Sequence, residues 1–211
     1  MSAPNLIRLP PHSITLVGAI NPAILVPAWM QRFVEVLQGQ VLQTMLPDPP
    51  GSPIFYASAD GTIWWWASSD RFVVHGPPEA TGEIAAKVLE QLPHTPLRAA
   101  GVNFLFEAPV RRDRTLPWRT ETAAERLTKI AGGPPGELSV SQSVFRSAGA
   151  RLTIRVMWAG IDTEAFVDLN YHYEARGPEG PERAAELADR VRAARDLARD
   201  AARIKEELTN G

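Results

Sequence analysis

The chain has 211 residues, 45% of them apolar and 22% charged, with a net charge of −2 from 22 Lys+Arg against 24 Asp+Glu. That composition belongs to a globular chain long enough to bury a core, and it supplies no cation excess for holding a phosphate backbone, so no nucleic-acid partner is expected. With no cysteine, disulfides, thiolate metal sites and a cysteine nucleophile are excluded together, which suits a reducing compartment.

Met1–Pro11 lacks the basic-then-apolar order of a signal peptide. No run approaches the roughly 20 apolar residues of a membrane helix. A cytoplasmic protein with no membrane association is the expectation. Arginine outnumbers lysine and alanine is abundant, a composition typical of GC-rich bacterial genomes.

Ser13–Ala19 reads as a strand, with Ile14 and Leu16 on one face and Thr15 and Val17 on the other. Asn21-Pro22 then predicts a helix start, because asparagine caps free amides and proline tolerates the first helical position. Ile24, Trp29, Phe33, Val36 and Leu37 follow at near-helical spacing, with Pro27 confined to the first turns. The proline-rich stretch from Leu46 to Pro53 is a loop. Ile54–Ser58, Thr62–Ala67 and Arg71–His75 form a three-strand meander, its first turn marked by Asp60-Gly61. Glu79–Leu92 is a helix with Ile84, Val88 and Leu92 along one side, ended by Pro93.

The order then repeats. Leu97–Glu107 is a strand carrying Val102, Phe104 and Phe106 on one side, and Pro109–Trp118 is a loop. Thr122–Ala131 is a helix stopped by Gly132-Gly133. Glu137–Ser147, Arg151–Ala159 and Glu164–Glu174 form a second meander, turning at Ala148-Gly149-Ala150 and Gly160-Ile161-Asp162. Pro181–Leu208 is a long helix with a stripe of Leu187, Val191, Ala194, Leu197, Ala201, Ile204 and Leu208, and with Glu186–Arg190 and Arg192–Asp196 as four-apart ion pairs. The fold class expected is therefore α+β: antiparallel sheet or sheets backed by helices, pseudo-duplicated over halves 1–95 and 96–211.

Two surfaces attract attention. In the first meander, Trp64 and Trp66 point one way with Val73, while Trp65 joins Ile63, Ala67, Phe72 and Val74 on the other. A ribbon apolar on both sides needs two covers, and tryptophan is enriched among interface anchors. Trp64, Trp66 and Val73 are the candidate partner-binding residues. In the second meander, alternation separates a polar platform of Thr153, Arg155, Asp168, Asn170, His172 and the serines Ser139, Ser141 and Ser143 from an apolar face that takes in Val140 and Val144. Arg155, Asp168 and His172 are its candidate chemistry. Asp168 and His172 are four apart on one strand, about 13 Å, so a dyad there has to form across strands. Such a face is also the ordinary solvated side of an antiparallel sheet.

His12, His75, His94 and His172 are scattered without metal-ligand spacing. No nucleophile elbow is present, and the glycines at 132–136 follow a helix and lack a lysine, unlike a phosphate loop. Neither a cofactor nor a metal is expected. The loop cluster Arg111, Arg112 and Arg114 reads as solvated.

The segments Phe55–Gly61, Ser69–Phe72, Gly101–Phe104 and Phe166–Leu169, with a closing helix ending Glu206-Glu207-Leu208-Thr209, are similar to those of a sporadically distributed, uncharacterised prokaryotic protein family. The resemblance covers the chain from Phe55 onward and departs at Trp64–Trp66 and around Asn21-Pro22. The family carries no assigned activity, so it implies no catalytic residues. The duplicated order also resembles TATA-binding-protein-like and helix-grip folds. That likeness implies a saddle, but the charge balance speaks against DNA as its occupant.

The reading that follows is a non-enzymatic binding or assembly protein. It holds a protein partner or a second copy on its aromatic sheet face, as an accessory in a bacterial multi-gene system. Two alternatives stand beside it: a chaperone-like grip for a small hydrophobic ligand or unfolded peptide, and an enzyme built on the polar sheet face.

Overall fold

Short alternating runs separated by tight turns build an α+β protein in which antiparallel strands are backed by helices. The computed structural model describes residues 12–45, 53–108, 139–147, 149–158, 165–176 and 180–210. The helix expected over Thr122–Ala131 with its glycine stop, the loop Pro109–Trp118 with its arginine cluster, the turn Gly160-Ile161-Asp162 and the stretch 46–52 lie outside these.

The strands are β1 (His12–Gly18), β2 (Leu42–Met45), β3 (Phe55–Ser58), β4 (Trp64–Ala67), β5 (Arg71–His75), β6 (Leu97–Ala108), β7 (Ser139–Ser147), β8 (Ala150–Trp158) and β9 (Ala165–Glu174). The helices are α1 (Pro27–Phe33), α2 (Pro78–Gln91), α3 (Pro181–Arg192) and α4 (Ala194–Asn210), with a 3₁₀ turn at Glu35–Leu37. By packing, one compact unit comprises residues up to Val102 with Tyr173–Arg195, and a second comprises Asn103–His172 with residues from Asp196 onward.

In the first unit the strand order is β2-β3-β4-β5-β1-β6. Register pairs Ile14 with Val74 and Leu16 with Phe72, then Val74 with Trp65 and Phe72 with Ala67. Residues directly opposite share a face, so these side chains form one layer. Ile14, Leu16, Trp65, Phe72 and Val74 are all fully buried there, with Ile84, Val88 and Leu89 of α2 in the same core. The indole Nε1 of Trp65 donates to the carbonyl of Leu25 at 3.0 Å, which satisfies the one polar atom of that ring. The Asp-Gly turn forms as expected: Asp60 accepts from the Thr62 amide and hydroxyl, and Gly61 takes φ +70°.

Three expectations are corrected here. The first helix begins at Pro27, not at Asn21-Pro22. Proline disfavours helical backbone in the residue before it, and Val26 is extended at φ −83°, ψ 160°. Asn21 still caps locally, accepting from the Ala23 amide at 3.1 Å. Strand β2, unmarked by composition, forms by pairing with β3 from Leu42↔Ser58 to Met45↔Phe55. The long C-terminal helix divides at Ala193. Alanine is the best helix former, so local propensity does not set that break. It sits where α2 crosses: a Cβ on Gly82 would lie 2.9 Å from the Val191 carbonyl and 3.4 Å from the Ala194 Cβ. Arg192 accordingly pairs with Glu83 and Glu90 of α2 rather than with Asp196, whereas Glu186–Arg190 forms as expected.

In the second unit the order is β6-β9-β8-β7. Leu152, Ile154, Val156, Val167, Leu169 and Tyr171 are buried along one face, and Leu197, Ala201 and Leu208 of α4 are buried too. The Tyr171 hydroxyl donates to Asp200 of α4 at 2.7 Å, and Phe104 meets the Tyr171 ring edge-on.

Candidate functional site

The other face of the β3–β4–β5 ribbon is built by register. Phe55 lies opposite Trp66 and Ala57 opposite Trp64, while Trp66 lies opposite Val73 and Trp64 opposite His75. Of the sequence-predicted residues, Trp64 and Val73 are buried, with Val73 only 6% exposed. The Trp64 Nε1 donates to the Gly61 carbonyl at 2.7 Å, so its ring is anchored by its own turn. Trp66 is half-buried, and so is Phe55, whose ring centroid is 6.0 Å from that of Trp66. Phe55 was not singled out from sequence, although strand alternation from Asp60-Gly61 fixes its parity with Trp66 across the hairpin. The face is uncharged apart from Arg71 at its margin, and that guanidinium is matched by Asp70 at 2.7 Å.

At the far end of the opposite face, Tyr56 and Ala67 meet Pro22, Ala23, Val26, Pro53 and Ile54 around a cavity of about 380 Å³. That is within the range of small-molecule pockets. The Tyr56 ring packs 5.4 Å from Trp65.

In the second unit the register brings Arg155 opposite Asp168, Thr153 opposite Asn170 and Arg151 opposite His172. Arg155 and Asp168 form an ion pair at 3.2 Å. Burial pushes the Asp168 carboxyl up from its ordinary value, with the Arg155 charge opposing that shift. Asn170 donates to Asn103 of β6. The platform therefore joins Arg155 with Asp168, while His172 stands four residues along the strand beside Arg151.

The serines are a correction. By register Ser141 and Ser143 pair with Val156 and Ile154 of the buried row, whereas Gln142 and Val144 pair with Arg155 and Thr153 of the platform. Val144 is 53% exposed in consequence. Residue polarity alone groups the serines with the platform, but pairing with β8 decides the register.

His12, at the start of β1, is buried, with its Nδ1 2.9 Å from the Thr81 hydroxyl of α2 and 3.3 Å from the Gly76 carbonyl. A carbonyl only accepts, so Nδ1 carries the proton. Thr81 in turn donates to the carbonyls of Pro77 and Pro78. Burial lowers the His12 pKa to about 4, and burial also lowers that of His75.

Fold and surfaces together define an α+β protein with an antiparallel sheet, an aromatic ribbon and a polar sheet face. Compared with known proteins, the chain matches no family model and no curated protein. Among the described residues, no helix is long and apolar enough to cross a membrane.

Proposed function

We propose that this chain is a non-enzymatic binding protein that holds an uncharged, apolar segment of a protein partner on the β3–β4–β5 face. One observation carries the reading: Phe55 and Trp66 form a half-buried ring pair over a floor of Ala57, Trp64 and Val73. The charge pattern supports the choice of occupant. With Arg71 already matched by Asp70, a charged segment would lose its hydration against aromatic rings and gain no counter-charge. Burying aromatic area contributes about 25 cal/mol per Å² before association costs.

The test is selection of displayed peptides on the purified chain, followed by titration of the selected peptides. Uncharged apolar peptides should be enriched, and Trp66→Ser should weaken their binding at least roughly tenfold. Absence of enrichment, or affinity untouched by Trp66→Ser and Phe55→Ser, overturns the reading.

A second reading is favoured by the cavity of about 380 Å³ beside Tyr56, whose lining suits a small hydrophobic ligand. Native mass spectrometry of the purified chain would show a bound mass that disappears in a cavity-filling Ala67→Leu variant.

A further inference from the structure

We propose that the outer edge of β7 pairs with β7 of a second copy, antiparallel and centred on Gln142. Among the described residues β7 has one strand neighbour, β8, and stands last in its strand order. Its nine residues pair one for one with β8 from Ser139↔Trp158 to Ser147↔Ala150, with no bulge. Open edges invite strand addition, and proteins protect them with prolines, lysines, bulges or brevity. The sequence SVSQSVFRS has no proline or lysine and a single charge, Arg146. The edge at β2, by contrast, is only four residues long.

The occupant is read from the strand itself. Val140-Ser141-Gln142-Ser143-Val144 is the same in both directions. An antiparallel two-fold pairing about Gln142 therefore sets Val140 opposite Val144, Ser141 opposite Ser143, and Gln142 opposite its own copy. β-Branched pairs and hydroxyl pairs are favourable cross-strand neighbours, and closed two-fold dimers require such self-complementarity. The two Arg146 residues lie toward opposite ends of the pairing, so like charges do not meet. The exposed Val144 then gains an apolar neighbour. The ring pair Phe55–Trp66 takes no part, so this inference is independent of the proposed function.

The experiment uses the full chain, which has no native cysteine. Light scattering across a dilution series should show a dimer. Gln142→Lys, which sets two ammonium groups face to face on the axis, should raise its dissociation constant at least roughly tenfold. Under mild oxidation Gln142→Cys should form a disulfide-linked dimer, because directly opposed Cα atoms approach to about 5 Å. Ser139→Cys, about 20 Å from its copy in this register, should not. The cysteine pair keeps the test open if Gln142→Lys fails to fold. A monomer at every concentration, a dimer indifferent to a folded Gln142→Lys, or equal cross-linking from Ser139→Cys overturns the proposal.

Discussion

Consecutive tryptophans on β4 have different fates because a strand turns alternate side chains to opposite faces. Trp65 is fully buried with its indole nitrogen bonded to Leu25, whereas Trp66 is half-buried. Trp65→Ala should therefore cost about 3–5 kcal/mol in urea unfolding, and Trp66→Ala about 1 kcal/mol or less. His12 gives a second residue-scale prediction. Its folded pKa of about 4 lies below the ordinary value of 6.5, so the unfolded chain binds more protons between these pH values. Stability is fully present above about pH 6.5, falls as pH drops toward 4, and levels off below; His75 acts in the same direction. The His12 contribution is about 3 kcal/mol. His12→Asn, which keeps a donor near the Nδ1 position, should flatten the urea midpoint across this window while the wild type loses stability.

At the scale of elements, the crossing of α2 with the α3–α4 junction is set by Gly82. Glycine in a helix interior ordinarily costs about 1 kcal/mol relative to alanine. Here an added Cβ would stand 2.9 Å from a backbone carbonyl. Gly82→Ala should accordingly destabilise the protein by about 1–3 kcal/mol, reversing the sign that propensity assigns. Equilibrium denaturation of the single variant reads this directly. The same crossing explains why the C-terminal stripe was legible while the break at Ala193 was not. Leu187, Val191, Ala194, Leu197, Ala201 and Leu208 are all buried as their spacing predicts, with Ile204 half-buried. Helical period is written in the residues themselves; the place where another helix presses against them is not.

For the whole molecule, the two surfaces should separate. Trp66→Ser should weaken peptide binding and leave the β7-mediated dimer intact, and Gln142→Lys should weaken the dimer and leave peptide binding intact; titration and light scattering on the same preparations distinguish them. Strand alternation, the Asp60-Gly61 turn and helical spacing made the α+β class, most element bounds and the two-sided ribbon readable, because each depends on residues near in sequence. Pairing partners decided the rest. Whether Trp64 or Trp66 kept access to solvent, that Ser141 and Ser143 pair with Val156 and Ile154, and that Phe55 completes the ring pair all depend on which strand lies alongside. Local sequence encodes the period of an element, but its register and cover come from contacts between distant segments.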